Sequence, residues 1–126
     1  MNDSDADLVF EQAHDLVDHI EEAAWNDDAE AVLDGIDAVV ELYGEFPTGV
    51  WDATALLARS RHSMVRVGMA ARGVPLIYNS INPFLALQLA GWLSEDRDRI
   101  VRETMTESLQ RLDAGDMLRK QLRLRQ

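Results

Sequence analysis

Residues 93–112, LSEDRDRIVRETMTESLQRL, decide the fold. Apolar side chains recur in this stretch at helical spacing, at Ile100, Val101, Met105, Leu109 and Leu112. Because spacings of three and four residues share one face of an α-helix, the stretch predicts an amphipathic helix. Ser94 is the expected N-cap, since a hydroxyl there satisfies free backbone amides of the first turn.

The same pattern occurs earlier, in residues 57–76, LARSRHSMVRVGMAARGVPL. The Val-Arg dipeptides at 65–66 and 101–102 align, and so do the leucines at 57 and 93 and the prolines at 47 and 83. A fainter copy starts at Val32. The positions in register are Val32, Val65 and Val101, then Ile36, Met69 and Met105, then Tyr43, Leu76 and Leu112. Internal repeats of this length indicate stacked units, so we expect about six helices as three antiparallel helix pairs.

Capping and breaking residues mark the other helices. The expected starts are Ser4 (capping pair with Asp7), Asp27 (with Glu30), Thr48, Ser63 and Asn82 (with Pro83), and the expected ends include Gly44, Arg59 and Gly73 followed by Pro75. Residues 74–78 are the only short strand candidate, and Pro75 argues against it. We therefore predict one all-α domain over residues 1–126. It has an acidic tail at 1–6, an interruption at 113–116 and a basic extension at 117–126.

The run from Leu93 to Arg102, an acidic turn followed by a Val-Arg helix start, resembles the second half of a HEAT-type repeat. The similarity extends over residues 48–112. It implies a short right-handed stack of α-hairpins whose exposed ridges bind other proteins. The chain departs from the pattern where Leu33 follows Val32 and where His62 stands in place of an acid. Its spacings of 33 and 36 residues are shorter than the family's ~40. A compact helical bundle is the alternative.

The formal net charge of −11 is the sum of two opposite halves. Residues 1–58 contain 16 acidic side chains and no lysine or arginine, whereas residues 59–126 contain 12 lysine or arginine and 7 acidic side chains. Such asymmetry indicates an electrostatic partner, and a basic protein surface is the expected one. Direct binding to nucleic acid is disfavoured, because phosphate repels a chain with an isoelectric point near 4.5.

Composition excludes several other classes. Without cysteine there are neither disulfides nor thiolate chemistry. No stretch of ~18 apolar residues predicts a membrane span, and the acidic start is unlike a signal peptide, so a cytoplasmic protein that does not bind membranes is expected. No nucleophile–base–acid set is visible, and we predict that the protein is not an enzyme.

The first helix carries the acidic candidates for partner binding, which are Glu11, Asp15, Asp18 and Glu22. Glu11 and His14 have the Glu-x-x-His spacing of di-iron bundles. Those sites need a second such pair, and none exists, since Arg59 precedes His62. We interpret the acids as a solvated face and expect no metal or cofactor.

Arginines dominate the second half of the chain. Arg59, His62 and Arg66 stand at i, i+3 and i+7, which predicts a positive ridge. Arg66 and Arg102 are expected to pair with acids on neighbouring turns and so fix helix register. Arg59 and Arg61 are then the better candidates for binding a partner.

The large aromatic side chains Trp25, Trp51, Phe84 and Trp92 are expected in the core. Trp51 has an alternative role as a partly exposed anchor for a partner.

These observations favour a non-catalytic protein-interaction module. An immunity- or antitoxin-like inhibitor, or a nucleic-acid mimic, is the first alternative, with the carboxylates occupying a nuclease or DNA-binding groove. A head-to-tail homo-oligomer, in which the basic end of one copy meets the acidic end of another, is the second.

Overall fold

A computed structural model describes the backbone of residues 3–45 and 47–124 and the side chains of residues 8–42 and 51–112. Throughout the described backbone the chain is helical and forms no strand, so the predicted all-α class is confirmed. The helices are α1 (Asp3–Trp25), α2 (Ala29–Glu45), α3 (Pro47–Ala58), α4 (Ser63–Gly68), α5 (Val74–Ser80), α6 (Pro83–Ser94) and α7 (Arg99–Leu124).

A π-helical turn, Met69–Gly73, joins α4 directly to α5. Helical backbone angles continue across both junctions, so α4, the turn and α5 form one rod and the described chain has six helices in all. The expected end of the fourth helix at Gly73 and Pro75 is therefore wrong.

The rod continues through Pro75, and a side chain of α7 makes the hydrogen bond that proline cannot donate. The amide of Val74 donates five residues back, to the carbonyl of Met69. Pro75 has no N–H to make the next such bond, to Ala70. The Ser108 hydroxyl donates to the Ala70 carbonyl instead, at 2.7 Å, and both residues are buried. The break expected from sequence is thus repaired by a side chain 38 residues away along the chain.

The helices contact one another as two neighbouring series. In one, α3 lies against α1 and α6. In the other, the rod lies between α2 and α7. Contacts between α1 and α2, α3 and α4, and α6 and α7 connect the two series. The stacking of three hairpins in the manner of HEAT-type repeats stays a prediction.

One continuous core lies between the two series. Its fully buried larger side chains include register positions of the sequence pattern: Val32, Ile36, Leu57, Val65, Met69, Leu93, Val101 and Met105. Packing at native density makes each of these side chains costly to truncate.

Local capping chemistry was predicted correctly at one helix start. The Asn82 side chain accepts hydrogen bonds from the amides of Phe84 and Leu85, and Pro83 occupies the first helical position. At the start of α7 an aspartate, and not the expected serine, is the N-cap. Asp98 rather than Ser94 caps α7, since its carboxylate accepts from the Ile100 amide at 2.9 Å.

Four other boundaries also differ from expectation. Asp28 rather than Asp27 accepts from the first turn of α2, because Asp27 adopts a left-handed conformation with φ of 60°. Helix α1 begins at Asp3, so the predicted cap at Ser4 and most of the predicted tail at 1–6 lie inside it. Gly44 lies within α2. Helix α7 continues to Leu124 without the expected interruption at 113–116, since aspartate and glycine each lower the helix propensity by only about 1 kcal/mol or less and need not end a helix.

Ser108→Ala should lower the free energy of unfolding by about 1–3 kcal/mol, because the buried Ala70 carbonyl loses its partner. Urea unfolding followed by circular dichroism measures the change. Thr106→Ala is the control, since this exposed hydroxyl bonds only to a carbonyl of its own helix; its effect should stay within ~0.5 kcal/mol. Equal losses in the two variants would contradict the repair role of Ser108.

Candidate protein-interaction site

Helix α1 separates its apolar and acidic side chains cleanly. The buried side consists of Val9, Ala13, Val17 and Ile20. The predicted candidates Glu11, Asp15, Asp18 and Glu22 are all exposed on the other side. The structure therefore places these four carboxylates together on one outer surface of α1.

A groove of about 510 Å³ lies between α1 and α2. It is lined by Gln12, Asp15, Leu16 and His19 from α1 and by Ala38, Glu41 and Leu42 from α2. Leu16 and Leu42 pack partly against the core and form an apolar floor, whereas Asp15 and Glu41 are exposed at the rim. The groove thus combines apolar contact area with negative charge.

Close contact between the two helices shapes this groove. A β-carbon at Gly35 of α2 would overlap Cγ1 of Ile20 on α1, so only glycine fits at this crossing. Within the described residues neither Asp15 nor Glu41 has an ion-pair partner, and residues 1–58 contain no lysine or arginine to supply one. The carboxylates at the rim therefore remain available to an external cation.

Arg66 lies at the centre of a buried polar network. Its Nε donates to Oδ2 of Asp96 at 2.9 Å, and its Nη1 donates to the carbonyl of Ser60 at 2.6 Å. The Ser60 hydroxyl donates to Oε2 of Glu21 on α1 at 2.9 Å. Arg102 of α7 donates to the carbonyl of Asp96 at 2.7 Å. This chain of contacts, the Arg66 network, links α1 to α7.

The expected pairing of Arg66 with an acid is thus confirmed, whereas Arg102 bonds to a backbone carbonyl instead. Burial also means that the predicted ridge of Arg59, His62 and Arg66 is wrong. Helix α3 ends at Ala58, so Arg59 and His62 lie outside the helices, and the Arg66 side chain is only 7% exposed.

Arg59 and Arg61 are exposed, as expected of candidates for partner binding. The Arg59 guanidinium carbon lies 4.0 Å from the Trp92 ring centroid, a cation–π contact. Trp51 is half-buried, with its ring 5.9 Å from that of Trp92. Trp51 therefore contacts Trp92, the ring on which Arg59 lies, and is packed partly against the core.

Two aromatic residues expected in the core are exposed instead. Trp25 is 78% exposed at the end of α1, where its ring meets the edge of His62 at 5.7 Å. Phe84 is 81% exposed in the first turn of α6. Each stands on the side of its helix that faces away from the core, which hydrophobicity alone does not reveal.

The histidine-based metal hypothesis receives no structural support. Among the described residues no three histidine or carboxylate side chains converge as a metal site. His14 is half-buried, and its ring lies 4.3 Å from that of Phe10. None of the described helices is long and apolar enough to cross a membrane.

Sequence reasoning missed the floor and the second wall of the groove. The sequence pattern marks Leu16 only as a core residue, and it does not distinguish Ala38, Glu41 and Leu42 of α2 as a binding surface. Their position beside the apolar stripe of α2 is the sequence signal that could have identified them as a binding surface. Finding the groove also requires knowing how α1 crosses α2.

Comparison of the chain with protein-family models, with curated proteins and with solved structures gave no match. The all-α class therefore rests on the structure itself, and the similarity to HEAT-type repeats stays a prediction.

Arg66→Met should lower the free energy of unfolding by about 3–5 kcal/mol, because it leaves the 10%-exposed Asp96 carboxylate buried without its cation. Arg72→Met on the same rod is the control, since its pair with Asp37 spans 3.5 Å between exposed groups; its loss should be about 0–1 kcal/mol. Adding Asp96→Asn to Arg66→Met should restore part of the stability. If the double variant instead lost as much stability as the single variants Arg66→Met and Asp96→Asn lose together, the pair would not be coupled.

Proposed function

We propose that this protein is a non-catalytic interaction module whose acidic groove between α1 and α2 binds a basic segment of a partner protein. The observation that carries the proposal is the combination, in one groove, of an apolar floor with carboxylates that have no partner among the described residues. An apolar site alone would suit many ligands. The charge at its rim selects a cationic one.

The dimensions of the groove favour a peptide segment as the ligand. A volume of about 510 Å³ is within the ~300–1,000 Å³ range of ligand pockets, and the groove is open along two helices. An amphipathic basic helix would place apolar side chains on Leu16 and Leu42 while its Lys or Arg side chains meet Asp15 and Glu41. This is the helix-in-groove mode of recognition.

An inhibitor or nucleic-acid mimic is the second candidate, and one specific observation favours it. Glu11, Asp15, Asp18 and Glu22 form an exposed stripe along α1, at axial rises of about 6, 4.5 and 6 Å. A regular row of negative charges resembles a phosphate backbone. In this alternative the stripe on α1, rather than the groove floor, makes the principal contacts.

Charge reversal at the rim tests the interaction. Asp15→Lys with Glu41→Lys should abolish capture of the partner from host lysate, because it replaces attraction with repulsion at the groove. Asp52→Lys with Glu107→Lys is the matched control, since it makes the same change in net charge at exposed positions outside the groove lining. Equal loss in both variants would mean that net charge alone, and not this groove, binds the partner.

The captured partner then separates the two functions. Leu42→Ala should weaken binding by about tenfold if the apolar floor makes contact, and should have little effect on a mimic that uses the outer stripe. An inhibitor should also abolish a nuclease or DNA-binding activity of its partner, whereas an interaction module should not. Isothermal titration calorimetry with the purified partner, at low and high salt, gives these affinities.

A further inference from the structure

Helix α6 has the composition of a helix buried on all sides. Its sequence, PFLALQLAGWLS, contains no charged residue, and Gln88 and Ser94 are its only polar side chains. Such helices normally lie inside a protein. Here only one side is covered, by Ala86, Leu89, Ala90 and Leu93, which are buried against the core.

The opposite side of α6 is a ridge of exposed apolar residues, which we call the α6 face. Phe84 is 81% exposed and Leu87 is 48% exposed. Gly91 lies one turn beyond Leu87 on the same side of the helix and is also exposed. Exposed apolar residues that adjoin one another, rather than standing singly, are typical of contact surfaces.

Gly91 is the second, independent observation. The other glycines inside the described core, Gly35, Gly68 and Gly73, stand where a β-carbon would meet a neighbouring side chain. A β-carbon at Gly91 would meet nothing within 4 Å. Glycine destabilises a helix interior relative to alanine, and no contact within the described chain requires it here. The absent side chain leaves open space at this position, into which a large side chain of another surface can fit.

We propose that the α6 face packs antiparallel on the α6 face of a second copy of this chain, about a twofold axis that passes between Leu87 and Gln88. In this register Phe84 of one copy lies opposite Gly91 of the other, and Leu87 lies opposite Gln88. The most exposed large side chain then fits over the one position without a side chain, twice per dimer. A twofold contact requires this kind of self-complementarity.

Charge opposes contact between two copies less at this face than at the acidic half of the chain. With a net charge of −11, two copies repel each other, most strongly where the acidic residues 1–58 would meet. Residues 53–94 contain no acidic residue, so the α6 face is a place where two copies meet without bringing carboxylates together. Helix α6 contacts α3, α5 and α7, which sets the face apart from the groove between α1 and α2. The proposal is thus independent of the proposed function.

The size of the contact sets the expected affinity. Helix α6 has 12 residues and is about 18 Å long, so a pair of such helices buries less than the ~1,600 Å² of a standard interface. We therefore expect a dimer whose dissociation constant lies in the micromolar range or weaker.

Sedimentation equilibrium between about 1 μM and 1 mM protein, at low and high salt, is the first test. The expected result is a monomer–dimer equilibrium that tightens with salt, because salt screens the repulsion between two negative copies. A monomer at every concentration would overturn the proposal. Association that weakens with salt would overturn it too, since a head-to-tail contact between basic and acidic ends behaves in that way.

Gly91→Ala separates the dimer contact from monomer stability. The isolated monomer should become more stable, because alanine favours the helix and its β-carbon meets nothing. The dimer should weaken by about tenfold, because the new methyl group displaces the opposing Phe84. Gln110→Ala, at an exposed position of α7, is the control and should leave dimerisation unchanged. Unchanged dimerisation in Gly91→Ala would place the contact elsewhere.

A charge-pair experiment tests the register. Phe84→Glu and Gly91→Lys should each weaken homodimerisation by about tenfold or more. Circular dichroism verifies that both variants, which are substituted at exposed positions, remain folded. An equimolar mixture should restore a heterodimer. In it the carboxylate introduced in one copy lies opposite the ammonium group introduced in the other, while the second contact, Phe84 on Gly91, stays intact. Failure of the mixture to associate more tightly than either variant alone would overturn the antiparallel register.

Discussion

The buried guanidinium of Arg66 is the constraint on which the arrangement of the described helices depends. Removing a charge from water costs several kcal/mol, so Arg66 must have compensating partners in the protein. It finds them in the Asp96 carboxylate and the Ser60 carbonyl, which belong to the loops that follow α6 and α3. Satisfying one side chain therefore fixes where both loops lie. The Ser60–Glu21 hydrogen bond then extends the constraint to α1.

The same contact occurs twice, at equivalent positions of the sequence pattern. Arg66 donates to the carbonyl six residues before it, and Arg102, 36 residues later, also donates to the carbonyl six residues before it. Ser60 and Asp96 also share a role, since the side chain of each accepts a hydrogen bond from the backbone amide two residues later in the chain. An internal repeat would place the same directional hydrogen bonds at equivalent positions, and the repeat itself stays a prediction.

Sequence periodicity predicted the helices because one apolar face per helix must be buried. Of the positions in register, those at Val32, Val65 and Val101 and at Ile36, Met69 and Met105 are buried accordingly, whereas Leu76 and Leu112 are half-buried and the Tyr43 side chain lies outside the described part of the chain. It also predicted the acidic side of α1. Features that depend on distant residues were missed. Pro75 is a local helix breaker, and the sequence around it does not reveal that the Ser108 hydroxyl from α7 bonds to the Ala70 carbonyl beside the π-helical turn. The groove floor and the exposure of Trp25 and Phe84 depend on how helices cross, which helical spacing within one segment does not encode.

The division of charge along the chain has a structural counterpart in how the two halves use their polar groups. In the second half, Arg66 and Arg102 are directed inward to hold loops, and Arg59 is stacked on Trp92. In the first half, the rim carboxylates have no such internal task. The acidic groove and the uncharged α6 face are therefore separate surfaces. We expect salt to weaken binding of a basic segment at the groove and to strengthen association through the α6 face. A dimer formed through α6 would carry two acidic grooves, so a partner with two suitably spaced basic segments would bind with an avidity that neither groove has alone.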